Sequence, residues 1–559
     1  MTTAFVPHLE PREARRAALG LDGPVFISLV DEEDLDLPGP DGPLYGIPFA
    51  VKDNIDVAGL PTTAACPSRT RPAEADATVV SRLAAAGAVP IGKTNMDQFA
   101  TGLVGTRSPF GACTSVRSRV HIAGGSSSGS AVAVAAGVVP LALGTDTAGS
   151  GRVPAAFNGI IGTKPTRGLV PNTGVLPACP SLDCVSWFTR TVTAARSVFE
   201  VLIGPDGHDP RSRPMPPVPP TEVADRMRVI AVPAGDLDLD PAHREAWHAA
   251  LAHASTLAHL VPIDVAPFLA AAQLLYSKAF VAERWAAFGR QLEPDGPHLD
   301  PVVRRTVLSG RQASAADVFT TFERLAVHRA AAAATFHEVD ALLLPVTPCH
   351  PTLAQVATDP VGVNARLGTY TNMVNLLDLC AVAVPAGDRP DGLPFGVQLL
   401  APAFADRPLL DLAARWVGEP AAAPPATRSL LVVAGAHLTG QPRNGDLIAL
   451  GGRLHARART AGGYRMYEVP GPFPRPGLVA DPSGPAGGLE VEVWDLPAHA
   501  MGQLLAGIAP PLALGPITLD DASTTPGFVA QRLDHNALDI TAHRSWRAYL
   551  RYRQKRWGT

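Results

Sequence analysis

Residues Ile122–Arg152 read IAGGSSSGSAVAVAAGVVPLALGTDTAGSGR. A serine-packed glycine loop, Gly124-Gly125-Ser126-Ser127-Ser128-Gly129-Ser130, runs into a short apolar segment. A second loop follows, Gly144-Thr145-Asp146-Thr147-Ala148-Gly149-Ser150. Glycine lets backbone amides approach a ligand closely. Hydroxyls with only glycine around them are poor core material, so the two loops suggest a site built for chemistry. Upstream, Gly46-Ile-Pro-Phe-Ala-Val-Lys52-Asp-Asn54 delivers a lysine from the end of an apolar run. Burial makes a charged lysine costly, which lets it serve as a base. A serine hydroxyl is a weak nucleophile until a base takes its proton. A second serine, donor and acceptor at once, can carry that proton between them. A Ser–Ser–Lys set therefore needs no histidine.

Outward from these loops, short apolar strands alternate with helices. Ile47–Val51 reads as a strand. Ala77–Ala86 reads as a helix with Val79, Val80 and Leu83 on one face, stopped by Gly87. Val89–Ile91 and Leu141–Leu143 read as strands around a helix over Ser130–Ala136. Such alternation predicts an α/β domain with a central sheet and helices on its faces. Leu275–Trp285 reads as helical throughout, and Ser314–Phe336 as a longer helix. Leu342–Pro348 and Cys380–Pro385 read as strands, with Pro394–Leu400 closing the sheet. Residues 23–41 read as turn-rich, and 206–220 as a Pro-rich surface connection. The stretch GEPAAAPPATRS, from Gly418 to Ser429, has Pro and Ala without a core pattern, as semi-rigid spacers do. Domains are accordingly expected at 1–418 and 430–559, joined by a linker at 419–429. In the second, Leu489, Val491 and Val493 alternate with Glu490 and Glu492, the pattern of a half-buried strand. Gly, Pro and short strands dominate there, which predicts a smaller β-rich α+β domain ending in a helix near His543–Arg553.

A chain of 559 residues exceeds one ordinary core. Its net charge of -4 and lack of a Lys/Arg block argue against a nucleic-acid partner. The first residues lack the apolar core of a secretory signal. No apolar run reaches the ~20 residues of a membrane span. The six cysteines are scattered, as in a reducing compartment, and predict a cytoplasmic location. Cys179-x4-Cys184 has no matching ligand pair, and the histidines show no metal spacing, so neither a metal nor another cofactor is expected.

Two competing motifs fit less well. Gly125-Ser-Ser127-Ser-Gly129 spells the G-x-S-x-G nucleophile elbow. It has little strand before it, and it leaves Lys52 and Ser150 unexplained. Gly87-Ala-Val-Pro-Ile-Gly92-Lys93-Thr94 spells a phosphate loop, which needs a strand before its first glycine. A helix precedes Gly87, and Ala-Val-Pro-Ile looks like a strand itself, so Lys93 reads as structural.

In the order lysine, GGSSxG, GTDxxGS, the chain closely resembles the amidase signature family, from about Gly46 to about Phe404. Carried over by position, the resemblance implies Ser150 as nucleophile, Ser126 as bridging serine and Lys52 as base. It also implies a cis peptide bond before Ser126 and an oxyanion hole from the amides of Thr147, Ala148, Gly149 and Ser150. Asp146 and Arg152 would brace the loop. The chain departs from relatives in Cys113–Ile122, which lacks their Asp-Pro turn, and in its short region before Gly46.

Within the family, Gly144–Pro154 and Pro180-Ser-Leu-Asp-Cys-Val-Ser186 look like the allophanate hydrolase branch. Tyr276 and Arg284, with Gly124, match that branch's substrate-binding positions. The region of Gly435-Ala-His437-Leu-Thr-Gly440 and Glu490–Trp494 is similar to its C-terminal domain, of γ-glutamyl-cyclotransferase-like fold. An arginine fork suits a planar carboxylate, and allophanate ends in one. The other reading of Arg284 is a structural ion pair with Glu283 or Glu293. The resemblance implies hydrolysis of allophanate to ammonia and N-carboxycarbamate, in urea or biuret nitrogen breakdown. It links the C-terminal domain to the later decarboxylation, with His437 either its acid/base or a structural loop residue. It implies a homodimer, and a separate urea carboxylase or biuret-pathway enzyme as partner. Alternatives are a general amidase, or the glutaminase component of a tRNA-dependent amidotransferase.

Overall fold

The computed structural model describes residues 5, 8–35, 42–216, 228–294, 296–420, 428–450, 452–469, 474–533 and 537–557. Residues 421–427 of the expected linker lie outside them, as do parts of the stretches 23–41 and 206–220. The chain divides into two compact units, Met1–Ala421 and Ala422–Thr559.

The first unit is built on an eleven-stranded mixed sheet. From edge to edge its strands are Phe26–Leu29, Val89–Thr94, Pro48–Lys52, Leu141–Asp146, Cys184–Thr189, Ile161–Lys164, Leu379–Asp388, Pro394–Pro402, Ala341–Pro345, Val229–Pro233 and His259–Ile263. Pro48–Lys52 is parallel to both its neighbours. Every residue of Pro48–Lys52 and of Leu141–Asp146 is buried, which explains their unbroken apolar lettering. Successive strand side chains point to opposite faces. Phe49, Val51, Leu141 and Leu143 accordingly join one core, and Ala50 and Ala142 the other. Helices Thr78–Ala85, Val192–Leu202 and Asp406–Trp416 contribute to the first core. Ser128–Ala135 and Val153–Asn158 contribute to the second.

Three expectations need correction. Phe26–Leu29, inside the stretch read as turn-rich, is an edge strand antiparallel to Val89–Thr94. Pro394–Pro402 does not close the sheet: it is interior, between Leu379–Asp388 and Ala341–Pro345, because His259–Ile263 adds beyond Val229–Pro233. The segment 275–285 is not one helix. A 3-10 turn, Gln273–Tyr276, ends at Ser277, which is extended (φ -67°, ψ 162°) and opens the helix Lys278–Phe288.

The second unit holds an eight-stranded sheet in which Arg428–Val433 lies between Glu490–Pro497 and Thr524–Ala530. Helices Asn444–Ala449, Ala498–Ala506 and Trp546–Trp557 accompany it. Its own core gathers Leu431, Val433, Trp494, Leu496 and Tyr549. Among the described residues no helix is long and apolar enough to cross a membrane.

Candidate active site

Lys52 and Asp146 end two parallel neighbouring strands, which brings their loops together at one edge of the sheet. Ligands in α/β sheets gather at such carboxyl ends. Lys52 is wholly buried. Its Nζ lies 2.7 Å from Ser126 Oγ, 2.7 Å from Thr145 Oγ1 and 3.4 Å from the Thr145 carbonyl. Burial pushes its pKa down to about 7, against the pull of Asp97, Asp146 and Asp183. A neutral amine keeps its N–H groups for Thr145 and turns its lone pair to the Ser126 hydroxyl.

The peptide bond between Gly125 and Ser126 is cis. A Cβ on Gly125 would come within 2.2 Å of Asp97 Oδ2, so only glycine fits there. Asp97 is itself buried and accepts from the amides of Gly105 (3.0 Å) and Arg107 (2.9 Å). Its own N–H donates to the Ser126 carbonyl at 3.1 Å. Burial raises the Asp97 pKa, with Arg107 opposing. Ser127 donates to the Thr145 carbonyl at 3.2 Å, which commits it to the neighbouring strand. The residues before it, Ser118–Ile122, form a small hairpin with Thr114–Ser115 outside the main sheet, so the elbow geometry is not built. Gly92 to Thr94 lie inside a strand, not a phosphate loop, and buried Lys93 faces Asp53 at 3.5 Å.

Ser150 is buried on the second loop, and its hydroxyl donates to the Gly102 carbonyl at 3.5 Å. Among the described residues it makes no hydrogen bond to Ser126, so a proton relay requires the Ser150 side chain to rotate. Asp146 clamps this loop. Its carboxylate accepts from Gly149 (2.7 Å) and Gly151 (3.0 Å), and from Arg152 Nε and Nη2, both at 2.9 Å. Arg152 continues to the Thr371 carbonyl (3.1 Å) and to Gln398 Oε1 (2.8 Å). Burial raises the Asp146 carboxyl, but Arg152 outweighs it and the group sits below the ordinary carboxylate range. One expected oxyanion donor is thereby spent, since the Gly149 N–H already serves Asp146. The donors that remain are the amides of Thr147, Ala148 and Ser150. Thr147 Oγ1 donates to buried Asp183 at 2.5 Å.

The segment Thr101-Gly102-Leu103 joins these loops to Tyr276 and Arg284. Arg284 is 2 % exposed, and its Nη1 donates to Thr101 Oγ1 at 3.4 Å. Its Nε has no hydrogen-bond partner, and among the described residues no carboxylate pairs with it within 4.0 Å. Glu283 instead accepts from Ser181 N (2.7 Å) and Oγ (2.6 Å), and Glu293 faces Arg311 at 3.5 Å. The structural ion pair weighed for Arg284 is therefore not formed. Tyr276 accepts at its hydroxyl from Asn364 Nδ2 at 3.4 Å, and Asn364 Oδ1 accepts from the Leu103 amide at 2.8 Å. The Leu103 carbonyl in turn accepts from the Gly125 amide at 2.9 Å. Gly124, with φ +76°, packs against Phe157 and Val153, where a Cβ would clash. Asp97, Thr101 and Asn364 were not foreseen. Asp97 and Thr101 lie in a segment whose lettering follows the family. Asn364 sits on a short helix, Gly362–Leu367, with nothing in its neighbours to mark it.

In the second unit His437 lines a pocket with Arg443, Arg475 and Phe528, and its ring stacks on Phe528 at 5.1 Å. Burial pushes its pKa down to about 4, and its Nε2 has no hydrogen-bond partner. Among the described residues no group of three His, Cys, Asp or Glu is arranged to hold a metal ion.

Comparison with known proteins accords with this geometry. The amidase family model matches residues 30–410, and the model of the allophanate hydrolase C-terminal domain matches residues 429–551. The urea amidolyase of Lachancea kluyveri is 40% identical over 552 residues, which are 91% of this chain and 30% of that protein. The chain thus spans less than a third of the urea amidolyases it matches. A solved allophanate hydrolase from Kluyveromyces lactis is 36% identical, with a TM-score of 0.70, covering 98% of this chain and 97% of that one. A glutamyl-tRNA(Gln) amidotransferase chain from Symbiobacterium thermophilum is 37% identical over 407 residues, 66% of this chain and 82% of that one. The chain belongs to the amidase family, and carries after its amidase domain a match to the allophanate hydrolase C-terminal domain.

Proposed function

We propose that the chain hydrolyses allophanate by a Ser–Ser–Lys mechanism. Ser150 Oγ attacks the terminal amide carbonyl as its proton passes through Ser126 to neutral Lys52. The new C–O bond leaves an oxyanion facing the amides of Thr147, Ala148 and Ser150. Donors held ready where charge develops usually contribute the largest share of catalysis. The C–N bond breaks, and the departing nitrogen takes the proton back from Lys52 through Ser126 and leaves as ammonia. Water, deprotonated by the same relay, then cleaves the acyl-enzyme. N-carboxycarbamate leaves and breaks down to carbon dioxide and a second ammonia.

The observation that carries the substrate is Arg284: a buried guanidinium with no ion-pair partner among the described residues, tied through Thr101 to the segment that holds Ser150. A buried charge left unpaired is costly, and a substrate carboxylate would compensate it. Tyr276 offers a second donor to the same carboxylate. Six free thiols fit a cytoplasmic enzyme, and we assign a homodimer fed by a separate urea carboxylase or biuret-pathway enzyme.

The test is ammonia release from allophanate by the wild type, Ser150→Ala and Arg284→Ala. The reading expects an active wild type, an inactive Ser150→Ala, and an Arg284→Ala that has lost allophanate. A wild type that ignores allophanate but cleaves neutral amides would leave a general amidase.

A further inference from the structure

We infer that Asn364 is a positioning residue for substrate choice, setting the direction in which the Tyr276 hydroxyl offers its proton. The inference rests on the reading of the substrate as allophanate.

The argument begins with the Asn364 amide. Its oxygen and nitrogen are distinguished by their partners. Oδ1 lies 2.8 Å from the Leu103 backbone nitrogen, which can only donate, so this atom must be the oxygen. Nδ2 is then the atom facing Tyr276 at 3.4 Å, and it can only donate. The Tyr276 oxygen therefore receives a hydrogen bond from Asn364 and cannot spend its own proton there. That proton is left for another acceptor. The tyrosine is 37% exposed while Asn364 is 4% exposed, so the amide is the buried anchor and the phenol reaches out from it.

The same backbone segment explains why this matters for substrate choice. Leu103 N–H holds Asn364, Gly102 carbonyl holds Ser150, and Thr101 Oγ1 holds Arg284. One tripeptide thus sets the distance between the nucleophile and both groups that would meet a carboxylate. Gly102 has no freedom to shift, since a Cβ there would come within 2.5 Å of Asp97 Oδ2. A hydroxyl whose proton is free suits a carboxylate, which only accepts. The carboxamide of biuret, otherwise the same shape as allophanate, gains less from it and presents N–H groups to Arg284.

Asn364→Asp tests this with little change of shape. An aspartate keeps an acceptor for the Leu103 amide, but its second oxygen takes the Tyr276 proton and reverses the hydroxyl. The measurement is kcat and KM for allophanate and for biuret in the wild type, Asn364→Asp, Asn364→Ala, Tyr276→Phe and the double variant Asn364→Ala/Tyr276→Phe. Losing a hydrogen bond to a charged group predicts a ratio of kcat/KM for allophanate over biuret that falls about tenfold in Asn364→Asp, chiefly through KM. Residues that act through one another are non-additive, so the double variant should be no worse than Tyr276→Phe alone. Additive losses, or an equal fall in kcat for both substrates, would overturn the inference while allophanate hydrolysis stands. A wild type without activity on allophanate would overturn the substrate reading, and the inference with it.

Discussion

Lys52 Nζ stands 2.7 Å from Ser126 Oγ, in a site where both residues are wholly buried. The distance alone would suit a static hydrogen bond. Burial makes it a functional one, because a lysine held down to about 7 is largely neutral just above that pH. The neutral form is the base. Activity should therefore rise with pH through about 7 and level off above it. A kcat/KM profile between pH 5 and 9 checks this, and a flat profile across neutrality would remove Lys52 as the base.

The same shift has a consequence for stability. The unfolded chain holds the Lys52 proton up to the ordinary lysine value of 10.5, whereas the folded chain releases it near 7. Between those values the unfolded state binds more protons, so this group makes the fold more stable as pH rises, with its cost fully present below about 7. Lys52→Met lacks that slope. Urea midpoints of wild type and Lys52→Met, compared at pH 6.5 and 9.5, should converge at the higher pH, with the variant ahead at the lower one.

Asp146 is expected to be the costliest single position on the second loop. Its carboxylate satisfies two backbone amides and two guanidinium nitrogens, with no exposure to water. Asp146→Asn leaves Arg152 buried without its counter-charge, and breaking a buried pair costs about 3–5 kcal/mol. Activity should fall as well, because Gly149 and Gly151 flank Ser150. Chemical denaturation followed by tryptophan fluorescence reads the first effect. A loss below about 1 kcal/mol, the range of an exposed pair, would mean that the clamp is not structural.

Much of this site is legible in the lettering because its chemistry needs unusual residues. Two glycine–serine loops and a lysine at a strand end have few structural uses, and each sits where the alternation of strands and helices puts it. Arg284 was legible as a residue but not as a geometry. Its spacing from Tyr276 suggests two turns of one helix, while Ser277 breaks the chain between them. Phe26–Leu29 escaped notice because four half-buried residues at a sheet edge carry no periodic signal. The Gly149 donor was misjudged for a different reason. A backbone amide has no lettering of its own, and only the fold reveals that Asp146 claims it. Asn364 was hidden by distance, since its partners Leu103 and Tyr276 are 261 and 88 residues away.

The two candidate nucleophiles separate cleanly by substitution. Ser127 is tied to the Thr145 backbone at 3.2 Å, so Ser127→Ala should cost stability and leave measurable turnover. Ser150→Ala removes the attacking atom, and losses of about 10³-fold or more in kcat follow when a nucleophile is deleted from a working relay. A serine-directed phosphonate should label wild type and Ser127→Ala but not Ser150→Ala. Labelling of Ser150→Ala at Ser127 would restore the elbow reading.

Arg284 should oppose stability while serving recognition. Its guanidinium is buried, its Nε is unpartnered, and the nearby Glu283 is engaged elsewhere. Replacing such a charge with an apolar side chain of similar length is often stabilising, by about 1–4 kcal/mol. Arg284→Met is therefore expected to melt higher than the wild type, yet to lose its preference for allophanate over biuret. The wild type recovers the difference only when an anion fills the site, since a ligand that binds the folded state alone raises its stability by mass action. Malonate has the shape of N-carboxycarbamate with a methylene in place of its nitrogen. It should raise the melting temperature of the wild type and leave that of Arg284→Met where it was. If malonate shifts both equally, the anion binds elsewhere, and the unpaired guanidinium does not face the substrate.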